Sequence, residues 1–137
     1  MVDDEGVDLI FNLKGTTQTL AVQVKSRFKS TSLVQRKGIF RAQVGKSTFQ
    51  PRQDLHILFV LFDDRDAMNI EYAWLIPSID FAKHTSAQTR ERKNLVFSVS
   101  IRGMKNWGNP YRCDRTNLAT RILSAIRTAY SGKAATR

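Results

Sequence analysis

His56-Ile-Leu-Phe-Val-Leu-Phe62 is an uninterrupted apolar run of strand length, stopped by the charged turn Asp63-Asp-Arg-Asp66. Such a run offers no polar face to water, so it is expected of a strand covered on both faces. Around it the chain reads as mostly strand. Glu71–Ile76 is the next strand, ended by Pro77, and Ser78–Lys83 fits a short helix. Leu95–Ile101 is a further strand, followed by a Gly/Asn/Pro-rich loop from Gly103 to Pro110.

Upstream, Val7–Lys14 and Thr19–Ser26 both alternate, with Gly15-Thr-Thr-Gln18 between them, and together they make a hairpin. Leu33–Arg36 and Ile39–Val44 flank Lys37-Gly38 and suggest a second hairpin. Ser47 to Gln53 has room for a turn of helix, interrupted by Pro51. At the other end Asp114 is placed to cap a helix over about 115–131, with Gly132 as its stop. Leu118, Ala119, Ile122, Leu123, Ile126 and Tyr130 fall on one side of that helix, away from Arg115, Arg121 and Arg127. The expected fold class is α/β or α+β with one sheet. At 137 residues the chain suits a single domain, residues 1–137.

Charge narrows the function classes. With 22 Lys+Arg and 12 Asp+Glu the formal net charge is +10, which favours a polyanionic partner, nucleic acid above all. The charge is also segregated. Residues 1–13 hold four acids and no base, whereas residues 14–53 hold nine bases and no acid. A forty-residue stretch of that kind is a surface kept positive, not one laced with ion pairs. No apolar run approaches the roughly 18 residues of a membrane span. A single cysteine, Cys113, excludes an intramolecular disulfide and a cysteine-rich zinc site, and a reducing cytoplasm is the default location.

The first hairpin carries the chemistry. If Lys14 and Thr19 close a four-residue loop, Asp8 lies opposite Lys25 and Ile10 opposite Gln23. Opposed residues share a face about 4.5–5.5 Å apart at Cβ, so Asp8, Gln23 and Lys25 project together while Leu20, Val22 and Val24 turn to the core. A carboxylate, an amide oxygen and an ammonium in one small volume suit metal-assisted phosphodiester hydrolysis. Asp8 and the Gln23 amide are oxygen ligands for a hard cation such as Mg²⁺, and Lys25 is placed to orient water and to stabilise charge on phosphorus. The competing reading is a solvated hairpin face with Asp8 and Lys25 as a cross-strand ion pair of little energetic value.

Gly6-Val-Asp8-Leu-Ile followed by Ala21-Val-Gln23-Val-Lys25-Ser26 resembles the PD-(D/E)XK nuclease superfamily, of restriction-endonuclease-like fold, with Gln in place of Glu in the second motif. The resemblance implies a mixed β-sheet with flanking helices and a Mg²⁺- or Mn²⁺-dependent DNA endonuclease. It makes Asp8 a metal ligand, puts Gln23 at the second acidic position and makes Lys25 the catalytic lysine. The Val24 carbonyl would complete the metal shell. It also implies a preceding helix and strand, for which the residues before Asp8 are too few, so the first core elements are expected to be missing. Asp3, Asp4 and Glu5 read most simply as a solvated, frayed terminus, with a further carboxylate for the site as their other reading. Lys14, Arg27, Lys29, Arg36, Lys37, Arg41 and Lys46 are the phosphate-contact candidates. Cutting both strands would suit a two-fold dimer. The neutral Gln23 supports the alternative of a catalytically silent nucleic-acid-binding or assembly module on the same fold.

The remaining reactive residues have ordinary readings. His56 and His84 lack ligand partners at useful spacing. Cys113 suits packing, and Trp74 suits the core. Trp107, Tyr111 and Arg112 suit either stacking on nucleic acid or anchoring the last helix.

Overall fold

A computed structural model describes residues 7–88, 93–103 and 105–135. The elements run β1 (Leu9–Asn12), β2 (Thr19–Phe28), α1 (Ser32–Lys37), β3 (Ile39–Gly45), β4 (Leu55–Asp63), β5 (Asn69–Pro77), α2 (Ser78–Thr85), β6 (Asn94–Ser100), β7 (Arg112–Cys113) and α3 (Leu118–Ala135). Five strands form a mixed sheet in the order β1-β2-β4-β5-β7, in which only the β2–β4 pair is parallel. The parallel step needs a crossover, and α1 with β3 supplies it. The fold is therefore mixed α/β, with a C-terminal helix.

The apolar run becomes β4, the middle strand, and residues 55–61 are all buried. One face of the sheet (Ile57, Phe59, Leu61, Trp74, Ile76) packs against Phe40, Ala42, Val44, Phe97 and Val99. Phe59 stacks on Phe97 at 4.3 Å between ring centroids, and Phe40 meets Phe59, Trp74 and Phe97 edge-on or tilted. The other face (Leu20, Val22, Leu58, Val60, Ala73, Leu75) is covered by α3 through Ile126, with Leu118, Ile122, Ala125 and Tyr130 beside it.

Several expectations are corrected. The second hairpin does not form. Ser32–Lys37 is helical, and β3 pairs instead with the distant β6 as a separate two-stranded ribbon, so there are two sheets where one was expected. Phe40, Ala42 and Val44 alternate inward, and β6 offers Phe97 and Val99 to the same core, so burying both strands' apolar faces favours the long-range pairing over the local one. Residues 47–53 contain no helical turn; the backbone there turns so that Arg52 N–H and C=O both bond to the Ser78 hydroxyl, at 2.9 and 2.7 Å. Helix α3 begins at Leu118, later than Asp114 implied, because the Asp114 carboxylate binds the Thr116 N–H and hydroxyl and so closes a turn before the helix. It continues past Gly132 to Ala135. Its inward stripe takes Ala125 and leaves Leu123 at 41% exposure.

Among the described residues no helix is long and apolar enough to cross a membrane.

Candidate functional site

The hairpin forms with a shifted register. Leu13, not Lys14, closes the loop: its N–H bonds to Gln18 O at 3.0 Å, and the Thr16 N–H and hydroxyl both return to Leu13 O. Gly15, at φ +81°, supplies the left-handed step this turn requires. Lys14 is consequently an exposed loop residue, and Leu9 pairs with Val22 where the longer strand would have paired it with Val24. A two-residue slip keeps every side chain on its expected face. Leu20 and Val22 are fully buried toward α3, whereas Gln23 shares the opposite face with Ala21 and Lys25.

The shift moves Asp8 away from Lys25 and sets it beside Gln23. The Asp8 N–H donates to Val22 O at 3.0 Å, and its Oδ2 accepts the Val24 N–H at 2.8 Å. Asp8 is thus tied to both neighbours of Gln23, by its backbone N–H to Val22 and by its carboxylate to Val24, and the carboxylate satisfies a donor left over where β1 ends. The Asp8–Lys25 ion pair of the competing reading does not form. Gln23 is only 2% exposed, in a central position between β1 and β4, and no hydrogen bond from the described residues reaches its carboxamide. Lys25 lies two residues further along the same face, level with Phe59, and is partly exposed.

These groups form a thin ligand set. Among the described residues no three His, Cys, Asp or Glu side chains gather as a metal site. One anchored carboxylate and one unpartnered amide oxygen still fit a cation that takes oxygen ligands and keeps several waters. Asp3, Asp4 and Glu5, the candidates for a further carboxylate, lie outside the described residues.

The basic residues separate into groups. Lys14, Arg27, Arg36, Lys37, Arg41 and Lys46 are exposed. Lys29 is instead engaged: it contacts Glu71 at 3.3 Å and Asp63 at 3.6 Å, and the Glu71 hydrogen bond and charge raise its pKa. Arg41 points outward from the β3–β6 ribbon, on the face that also carries Gln43, Asn94 and Val96. Lys46 continues that side, its N–H bonded to Lys93 O at 2.9 Å.

Trp107, Tyr111 and Arg112 anchor the segment before α3. Trp107 packs on Phe81 and Phe97 and stacks on His84 at 4.3 Å, while the Arg112 guanidinium lies 3.7 Å over the Tyr72 ring and donates to Ile101 O. Cys113 is buried in β7, and burial pushes its thiol pKa up, which keeps it protonated.

A second constellation was not anticipated. Beneath α3 a cavity of about 360 Å³ is lined by His56, Asp80, Tyr111 and Arg121 together with apolar residues and with Gln53, Ser124 and Thr128. His56 is 7% exposed and its Nδ1 has no hydrogen-bond partner. Burial lowers its pKa to about 4, against the opposing pull of the Leu55 backbone and the Asp80 charge, so the imidazole is neutral at pH 7. Tyr111 donates to Asp80 Oδ2 at 2.9 Å, and burial together with that bond raises the phenol pKa to about 12. These residues come from four separate segments, and the only local signal was a histidine heading an apolar strand.

No protein-family profile, curated protein or solved structure matches the chain.

Proposed function

We propose that the chain is a divalent-metal-dependent endonuclease-like protein of the PD-(D/E)XK type, hydrolysing DNA phosphodiesters at Asp8, Gln23 and Lys25. The observation that carries this reading is the anchoring of the Asp8 carboxylate to the Val24 N–H, directly beside Gln23, whose carboxamide makes no hydrogen bond among the described residues. Asp8 and Gln23, with the Val24 carbonyl, would hold Mg²⁺ or Mn²⁺, which when bound supplies Lewis-acid polarisation of the phosphate. Gln23 and Val24 are held in the parallel β2–β4 ladder and Asp8 by its bonds to Val22 and Val24, so little reorganisation of the ligand backbone is needed on binding.

Lys25 is the group for the reacting phosphate. Its ammonium offers three donors on the Gln23 face, and among the described residues no carboxylate neutralises it. It would hold a non-bridging phosphate oxygen and offset the negative charge that grows as water attacks. Lys14, Arg27, Arg36, Lys37, Arg41 and Lys46 would position the backbone of the substrate. Lys29 drops out of that set because its charge is already spent on Asp63 and Glu71.

Plasmid nicking in Mg²⁺ and Mn²⁺ tests the proposal. The wild-type chain should nick, and Lys25→Ala should lower the rate by about 10²–10³ while leaving DNA affinity within a few-fold. Equal cutting by both proteins would rule out the assignment of Lys25. A second reading, a nucleic-acid-binding module without catalysis, is favoured by one observation: among the described residues Asp8 is not part of any cluster of three His, Cys, Asp or Glu side chains. That reading requires salt-sensitive DNA binding with no cleavage in either metal.

A further inference from the structure

The cavity beneath α3 lies on the opposite face of the sheet from Gln23 and Lys25. His56 is level with Val22 in the β2–β4 register, and the α3 residues Arg121 and Thr128 form the other wall. Its floor is apolar, with Leu75 and Ile79 among the residues that line it. Of the polar groups in its lining, three have hydrogen-bonding capacity to spare. The His56 imidazole is more than nine-tenths buried, yet its Nδ1 lacks a partner. Asp80 accepts one hydrogen bond, from Tyr111, which leaves acceptor capacity on its carboxylate. Arg121 reaches the carbonyls of Pro110 and Arg112 only at 3.5 Å each, which leaves most of its five donors uncommitted. An apolar hollow with a few convergent polar groups is the usual form of a small-molecule site, and about 360 Å³ lies at the small end of that range.

From this arrangement we infer that the cavity binds a small amphiphilic anion: its anionic group pairs with Arg121, its N–H or O–H donors reach Asp80, and its apolar body covers Leu75 and Ile79. Two sources share this chemistry. A nucleoside monophosphate brings a phosphate and hydroxyl donors, and a zwitterionic apolar amino acid brings a carboxylate and an ammonium. The inference does not depend on the nuclease proposal, because the two sites lie on opposite faces of the sheet and this one is tested without DNA or metal.

The experiment is calorimetric titration of the full chain with adenosine monophosphate and, separately, with phenylalanine, followed by the ¹⁵N resonances of the His56 ring. At least one probe should bind at one-to-one stoichiometry with a Kd of about 1 mM or tighter and should shift the His56 ring signals. Arg121→Gln should weaken that binding by about ten- to a hundredfold, since it removes a charge-assisted contact. Thr128→Trp, at an exposed helix position on the cavity wall, should abolish it with an unchanged melting temperature. Binding of the nucleotide alone or of the amino acid alone identifies the source. Absence of binding by both probes at about 10 mM overturns the inference. Binding that both variants leave intact overturns it equally.

Discussion

Replacing His56 by Phe should remove a pH-dependence of stability that the wild-type chain carries between pH 6.5 and about 4. In the folded protein the imidazole is buried among Leu75, Pro77 and the α3 wall, and charging it there is opposed by desolvation. Its pKa therefore falls from 6.5 to about 4, and the unfolded chain binds the proton first. Stability from this group is complete above pH 6.5 and is lost as pH falls toward 4. At 1.36 kcal/mol per pKa unit the full loss is about 3 kcal/mol, with about 1.4 kcal/mol gone by pH 5.5 and about 2.5 by pH 4.5. Asp80, Arg121 and Tyr111 line the same cavity, and of these Asp80 opposes the shift. Asp64 and Asp114 also have lowered pKa values, through Ser30 and Thr116 respectively, but they lose their contributions only below their ordinary 3.8. The assay is urea denaturation of wild type and His56→Phe at pH 7.5, 5.5 and 4.5. Wild type should lose stability relative to the variant by the amounts above, and parallel curves for the two proteins would refute the reasoning.

Three further outcomes follow from the packing. A Cβ on Gly108 would meet Phe97 Cε1 at 2.9 Å, inside an aromatic cluster that has no room to retreat, so Gly108→Ala should destabilise by about 1–3 kcal/mol in thermal melts. Phe40→Ala removes the ring that ties the β3–β6 ribbon to Phe59 and Trp74, and it should cost about 3–5 kcal/mol by chemical denaturation. Arg41→Ala should weaken DNA binding and make it less steep in salt, whereas Lys29→Ala should leave the salt slope of DNA binding unchanged because its charge is paired.

Side-chain periodicity was enough to place much of this fold. The apolar run at 56–62 required cover on both faces, and it received the aromatic ribbon on one side and α3 on the other. The face shared by Gln23 and Lys25 was readable because strand parity survives a two-residue slip. Register itself was not readable. It turned on whether Leu13 or Lys14 closed the loop, a choice made by Thr16 bonding back to Leu13 and by Gly15. The β3–β6 ribbon was hidden for another reason: Phe40 and Phe97 each look like ordinary strand residues, and only their shared contact with Phe59 and Trp74 pairs strands so far apart. The His56 cavity is assembled from four segments, so no spacing in the sequence could have announced it.

The nuclease proposal stands on a divalent cation at Asp8, and Mn²⁺ titration followed by NMR tests that directly. Because Asp8 Oδ2 receives the Val24 N–H at 2.8 Å, a paramagnetic ion on this carboxylate must sit close to the Val24 amide and the Gln23 side chain. The account expects both signals to broaden at substoichiometric Mn²⁺, with Mg²⁺ competing and Asp8→Asn abolishing the effect. Broadening that spares Gln23 and Val24, or that persists in Asp8→Asn, would contradict it.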